Sequence, residues 1–295
     1  MSESRLVIKL VNVKKVYTMS REVKIYALRG VNLDVYDGEL LIVMGPSGSG
    51  KTTLLQIMGT LDKPTEGRVL IDGIDVTDFE EKELAKLRRE KIGFVFQFFN
   101  LIPTLNALEN VMLPMMLAGK YSKWEALERA KLLLTLVGLE KNRWLNTPRR
   151  LSGGQQQKVA IARALANNPR YILMDEPTGN LDVYSSAKVL DTVKWLNKFY
   201  GQTFIIVTHN PEVAQAGTRI VYIRDGVIME APRKLLSLDE LKLPRSEVKS
   251  RLLAQLKLLE IDLLAAKRRR ENSGLIDEIE KKILMTKEVL EGFEE

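Results

Sequence analysis

The chain has 295 residues, is 45% hydrophobic, contains no cysteine, and sets 45 lysines and arginines against 38 acids for a formal charge of +7. That is enough apolar material for a full core in one or two domains, and it excludes disulfides and thiolate metal sites. Basic and acidic residues are interleaved rather than gathered into a tract, so the mild basicity suits phosphate ligands and an anionic membrane leaflet, and no nucleic-acid partner is expected.

Glu3 stands where a secretory leader needs only basic residues, and no stretch approaches the ~18 to 20 apolar residues of a membrane span, so membrane association would have to come through a partner. Residues 5–35 carry antiparallel strand patterns such as Leu6-Val7-Ile8-Lys9-Leu10, and Tyr17 among them reads, taken alone, as a half-buried strand residue. Glu39-Leu40-Leu41-Ile42-Val43-Met44 is a buried strand and Thr53-Leu54-Leu55-Gln56-Ile57-Met58 a helix. Between them lies Gly45-Pro46-Ser47-Gly48-Ser49-Gly50-Lys51-Thr52, which fits G-x-x-x-x-G-K-[ST]. Glycines there let amides turn toward an anion at a helix N-terminus, Lys51 adds a charge and Thr52 a hydroxyl for Mg2+, which together imply a nucleoside triphosphate.

Residues 68–77 give a short strand pair around an Asp72-Gly73 turn, and a strand follows at 92–96. Gln97 is a polar residue inside the aromatic run Phe94-Val95-Phe96-Gln97-Phe98-Phe99 and by itself reads equally well as a solvent-facing strand residue. A helical insert is expected over about residues 98–165, with Ser122-Lys123-Trp124-Glu125 as the capping box of its middle helix. Leu151-Ser152-Gly153-Gly154-Gln155 opens into another Ala-rich helix, giving a second helix start able to face an anion. Tyr171-Ile172-Leu173-Met174-Asp175-Glu176 is an apolar strand ending in two acids, which calls for a metal or cation nearby. His209, the only histidine, follows the strand Thr203–Thr208 among other strand ends, where it can hydrogen-bond a γ-phosphate. With a further strand at 219–223, these elements predict an α/β fold with a mostly parallel, doubly wound sheet.

The phosphate loop and the Leu-Ser-Gly-Gly-Gln run together make the chain resemble the ATP-binding cassette ATPases over roughly residues 5–235. The resemblance implies a P-loop NTPase (RecA-like) core, an antiparallel β subdomain and a helical subdomain, in a cassette over residues 1–240. It also implies ATP and Mg2+ as cofactors. ATP would be held by Gly45, Ser47, Gly48, Ser49, Gly50, Lys51, Thr52 and Thr53, with Tyr17 stacked on the adenine. Thr52, Gln97 and Asp175 would hold Mg2+, Glu176 would be the general base, and Lys51, Gln97 and His209 would complete the catalytic set. Ser152, Gly153, Gly154 and Gln155 would close on the nucleotide of a second cassette, and Asp182, in the loop Gly179-Asn180-Leu181-Asp182, would cross that dimer interface. Lys158 stands where the family usually has arginine, keeping the charge without the planar fork.

From Arg245 onward, Leu252, Leu256, Leu259, Leu263 and Ala266 recur at coiled-coil spacing, and a second seam runs through Ile276, Ile279, Ile283, Leu290 and Phe293. Residues 245–295 therefore predict a helical hairpin, each helix covering the other's stripe or both docking elsewhere, with Lys267-Arg268-Arg269-Arg270 at its bend as a favourable helix C-terminus and solvated surface. Every catalytic motif precedes it, so the hairpin is expected to be dispensable for basal hydrolysis.

Within the family, the short interval between the two glycine runs disfavours the DNA-repair ATPases, which carry a long inserted coiled coil, and a single cassette disfavours the two-cassette translation type. The chain looks like the lipoprotein-release and macrolide-export group: a cytoplasmic motor, peripheral on the inner face of the membrane, that forms a homodimer on ATP and drives a transmembrane permease. A cell-division-type signal transmitter or a soluble non-transport ATPase is the alternative.

Overall fold

Apolar positions alternate along Leu6–Thr18 and Lys24–Tyr36, and in the computed structural model of the chain these segments are β1 and β2, paired antiparallel. The structure describes residues 5–18, 24–230 and 244–291. It falls into two compact units: Met1–Gln97, Arg170–Gly179 and Leu196–Glu240 form the first, and Phe98–Pro169, Asn180–Trp195 and Leu241–Glu295 the second.

In the first unit, β3 is Leu40–Met44, α1 Lys51–Met58, β4 Glu66–Ile71, β5 Ile74–Asp75, α2 Glu81–Lys91 and β6 Ile92–Val95. After a long excursion the chain returns as β7 (Tyr171–Asp175), β8 (Thr203–Thr208), β9 (Arg219–Arg224) and β10 (Val227–Glu230). A four-stranded antiparallel sheet runs β2-β1-β4-β5, and a six-stranded sheet runs β10-β9-β3-β8-β7-β6. All neighbours in the larger sheet are parallel except β9 and β10, a pair that the sequence reading did not anticipate. Leu41, Val43, Leu173, Ile205, Val207 and Val221 are buried in one cluster with Leu54, Leu55, Ile57 and Met58 of α1. Such runs, apolar on both strand faces, are what a covered parallel sheet requires. Register fixes the consequence for function: Met44 pairs with Thr208 and Asp175 with Val207, so the loops after β3, β7 and β8 leave the sheet at the same edge.

The second unit is helical: α3 (Ala107–Ala118), α4 (Lys123–Leu136), α5 (Gly153–Ala164), most of α6 (Val183–Tyr200), α8 (Arg245–Arg268) and α9 (Ser273–Glu291); the short α7 (Pro211–Ala214) belongs to the first unit. Ser122 and Glu125 form the anticipated capping box of α4. Leu259 and Ala266 of α8 cluster with Ile279 of α9, flanked by Leu263, Ile276 and Ile283, which is the seam read from the sequence; Phe293 lies outside the described residues.

That seam is only one of two buried faces of α8. Ala254, Leu258 and Ala265 are also buried, and α8 packs on α4 as well as on α9. Among these apolar residues sits Asp262, 2% exposed. Its Oδ1 accepts from Arg129 Nη1 at 2.6 Å and from the Tyr121 hydroxyl at 2.7 Å, and Arg129 Nε donates to the Ala166 carbonyl at 2.8 Å.

The basic cluster at the bend is largely paired: Lys267 with Glu280 at 2.8 Å, Arg268 with Glu125 at 2.9 Å and Arg269 with Glu271 at 3.7 Å. The Arg268 guanidinium is the main reason that the Glu125 carboxyl is lowered to about 2 from its ordinary 4.5. A carboxyl depressed in the folded state stabilises above its unfolded pKa and loses that contribution as pH falls through the folded one. Arg268→Ala is therefore expected to raise the acid midpoint of unfolding, followed by circular dichroism between pH 5 and about pH 2; an unchanged midpoint would mean that the pair contributes nothing.

Candidate functional site

Gly50 caps α1 from a backbone only glycine adopts easily, φ 101°, and a Cβ there would lie 2.4 Å from the Ala27 carbonyl oxygen. Gly45, at the other end of the loop, is equally confined: its Cβ would lie 2.2 Å from the Ile223 carbonyl oxygen. Between them Ser47 and Gly48 form an exposed tip, while Ser49 is buried with no hydrogen-bond partner for its hydroxyl. Lys51 is buried beneath the loop and donates to the carbonyls of Gly45 at 2.7 Å and Pro46 at 2.9 Å. An ammonium carries three donors, so one is left over after the loop has been tied down.

At the end of β7, Asp175 and Glu176 sit in different environments. Burial first, then the charge of Glu176, push the Asp175 carboxyl above its usual value; a hydrogen bond from Thr52 and the charge of Lys51 pull it the other way. A half-buried carboxylate beside a second carboxylate and a hydroxyl favours a cation, and both oxygens are ligands suited to a small hard dication such as Mg2+. Among the described residues no group of three or more His, Cys, Asp or Glu is arranged as a complete metal site. A Mg2+ ion commonly keeps waters and phosphate oxygens in its shell and needs only one or two carboxylates.

Glu176 adopts φ 43°, a left-handed conformation that is uncommon for a residue with a side chain. Its carboxylate is held from two residues of the next strand end: Oε2 accepts from the Thr208 hydroxyl at 2.9 Å, and Oε1 accepts from the His209 amide at 3.1 Å and meets His209 Nδ1 at 2.7 Å. His209 is 65% exposed, whereas Glu176 is 14% exposed. The carboxylate is thus fixed and the imidazole reaches outward. Gln97, just beyond β6, has its side-chain nitrogen 3.1 Å from where a Gly179 Cβ would be, and the Gly179 amide donates to the Glu176 carbonyl at 3.0 Å. The glutamine therefore stands against the turn that follows Glu176.

Tyr17 is anchored by its hydroxyl, which donates to Asp62 Oδ2 at 2.8 Å, and Lys15 lies 5.0 Å from the ring centre. Burial, then the Asp62 hydrogen bond, raise its pKa, while a hydrogen bond from Thr53 lowers it.

In the second unit, Ser152 caps α5 through a reciprocal box: its Oγ accepts from the Gln155 amide at 3.3 Å and Gln155 Oε1 accepts from the Ser152 amide at 3.0 Å. Helix geometry leaves the amides of Gly153 and Gly154 to point out of the helix start. Side chains on these glycines would be crowded, 3.0 Å from Leu181 for Gly153 and 3.1 Å from Ser185 for Gly154. Asp182 accepts from the Ser185 amide at 2.9 Å and hydroxyl at 2.6 Å, which caps the start of α6 and lowers its carboxyl pKa. Ser152, Gly154, Lys158, Ser185 and Lys188 share the lining of a cavity of about 170 Å³.

The phosphate loop, Asp175, Glu176 and His209 are thus gathered in one unit, with Gln97 and Tyr17 beside them; Ser152, Gly153, Gly154, Gln155 and Asp182 are gathered in the other. The sequence reading missed Thr208, Asp62 and Ser185. Thr208 was findable, since it is the last residue of the strand that precedes His209.

The family described as ABC transporter matches residues 28–179. The chain is 53% identical over 235 residues to the uncharacterized ABC transporter ATP-binding protein MJ0796 of Methanocaldococcus jannaschii, a match covering 79% of this chain and 99% of that protein. It is 45% identical over 222 residues to the lipoprotein-releasing system ATP-binding protein LolD 1 of Chlorobium chlorochromatii, covering 75% of this chain and 90% of the relative. Among solved structures, a dimeric post-hydrolysis state of the MJ0796 cassette bound to ADP and Pi matches with a TM-score of 0.71 at 50% identity, covering 78% of this chain and 100% of that one. With two capped helix starts able to face anions and a pair of acids at a strand end, the chain belongs to the ATP-binding cassette family of ABC transporter ATPases.

Proposed function

We propose that two copies of this chain bind two ATP molecules between them, head to tail, and that hydrolysis there drives a membrane permease. One observation carries the chemistry: Glu176 is nearly buried, held by Thr208 and His209, and placed beside the Asp175–Thr52 pair. A carboxylate fixed from two sides can take a proton from a water without first reorganising.

Gly45 to Thr53 surround the phosphates, with the leftover Lys51 donor directed at the β- and γ-oxygens. Asp175, Thr52 and Gln97 would hold Mg2+, which supplies charge neutralisation on the phosphate oxygens when bound. Glu176 accepts the proton of the attacking water. Because an ionised carboxylate only accepts, His209 donates from Nδ1; the neutral ring then offers Nε2 only as an acceptor, so His209 reaches a γ-phosphate oxygen as a donor only when protonated. Ser152 and the Gly153 and Gly154 amides of the other copy close the far side of the γ-phosphate, with Asp182 and Gln155 at the seam. Tyr17 presents the ring face away from Lys15 to adenine.

No helix among the described residues is long and apolar enough to cross a membrane. In this reading the protein sits on the inner face of the membrane through its permease partner. The similarity to lipoprotein-releasing and macrolide-export proteins supports a partner of that class. The test is sedimentation of a Glu176→Gln protein: at saturating Mg-ATP and low salt it should run as a dimer, and a monomer there would count against the shared site.

A further inference from the structure

We propose that α8, the first helix of the C-terminal hairpin, braces the helix bearing Ser152, pinning α5 at both ends, and thereby positions the Leu151–Gln155 run, the signature, for the nucleotide held by the second copy. The proposal rests on the reading of Ser152 given above. At the far end of α5, Arg129 is the link: it is fully buried, donates Nε to the carbonyl of Ala166 just past the helix, and is held by Asp262 of α8. At the near end the link is Gly138, in the turn after α4. Its carbonyl accepts from Lys158 Nζ at 2.8 Å, and Lys158 lies on α5 less than two turns from Ser152.

Gly138 is itself clamped from α8. A Cβ on it would lie 2.7 Å from Arg251 Nη2 and 2.9 Å from Glu247 Oε1, and those two groups are paired at 2.6 Å. Arg251 is 1% exposed, stands 5.6 Å from the ring centre of Trp195 on α6, and leaves Nε and Nη1 without a hydrogen-bond partner. A buried guanidinium with two unmet donors is costly, and packing alone would be served better by an apolar side chain. Lys158 is also desolvated, with Arg251 as the next cause of its lowered pKa. Two cations therefore converge on Gly138 with Glu247 as the leading compensating charge, ahead of Asp191 at Arg251 and Glu140 at Lys158. Neutralising Glu247 leaves them to repel, and the tie from Lys158 to Gly138 should loosen. All these residues lie in one unit, so the brace is internal to it. It contradicts the expectation that the tail is dispensable for hydrolysis.

A purely structural tail and a positioning tail differ in what they alter. Loss of fold lowers the amount of protein able to bind ATP, and turnover falls with it. Misplacing the signature leaves ATP binding to one chain intact and lowers kcat, because the signature would engage only the partner's nucleotide. The experiment uses the full chain with Glu247→Gln, whose side chain is partly exposed, and Asp262→Asn. ATP stoichiometry and affinity are measured with a fluorescent nucleotide, kcat and KM by phosphate release, and dimerisation by sedimentation in a Glu176→Gln background. The expected result is full stoichiometry, single-chain affinity within about twofold, and kcat and ATP-driven dimer affinity each lower by about tenfold or more. Parental kcat and dimer affinity in the folded variants would overturn the proposal, as would activity falling only in step with the ATP-binding fraction. Should Asp262→Asn fail to fold, Glu247→Gln decides alone. Ser152→Arg in the Glu176→Gln background is the control: a dimer that survives it would sink the reading of the signature rather than the brace.

Discussion

Lys51→Ala is expected to abolish ATP binding at any practical concentration, whereas Glu176→Gln is expected to bind ATP as well as the parent and hydrolyse it about a hundredfold more slowly or worse. In the proposed chemistry the two side chains have different places. Lys51 is already desolvated beneath the phosphate loop and ties its two ends through Gly45 and Pro46. Alanine removes both the loop tie and the cation that would face the phosphates, so ground state and transition state lose together. Glu176 makes its contacts with Thr208 and His209, and an amide in its place can keep one acceptor oxygen for the same donors while losing the basicity. Equilibrium binding and single-turnover phosphate release separate the outcomes. If both variants lost binding equally, Glu176 would be a binding residue and the assignment of the base would be wrong.

The parts of this molecule that were legible in the sequence are those where a few consecutive residues dictate a backbone. Gly45 to Thr52 spell a loop whose two confined glycines are needed within eight positions, and Ser152 with Gln155 spell a helix start. The paired acids at the end of β7 were legible because an apolar strand ending in carboxylates is anomalous. What holds Glu176 was not: the Thr208 and His209 contacts arise from the parallel register of β7 and β8, which joins residues thirty-odd positions apart. The seam of α8 was read correctly toward α9, but its second face was hidden because Asp262 breaks the apolar pattern there. Arg129 and Asp262 are 133 positions apart, and each alone reads as an ordinary charged residue on a helix. Roles inferred from motif resemblance came with no such geometry: the Tyr17 hydroxyl turns out to be tied to Asp62, 45 positions away.

Asp262→Ala is expected to destabilise the helical unit by about 3–5 kcal/mol, the cost of leaving a buried charge without its partner. Arg129 is fully buried and cannot swing to water, and Tyr121 loses the same acceptor. The remedy distinguishes an ion-pair effect from a cavity. Adding Arg129→Met to Asp262→Leu removes both charges and refills the space, and such replacements are often neutral or better. Here recovery should be incomplete, because the Ala166 carbonyl loses its donor at about 1–3 kcal/mol. Urea denaturation followed by circular dichroism measures all three proteins. A loss below about 1 kcal/mol in Asp262→Ala would mean that water reaches the Arg129 guanidinium and takes the place of the carboxylate. The same reasoning governs a chain cut before Arg245: it strips Asp262, Leu258 and Ala254 from the face that packs on α4. Any activity lost by that truncation must therefore be normalised to the folded, ATP-binding fraction before it is ascribed to catalysis.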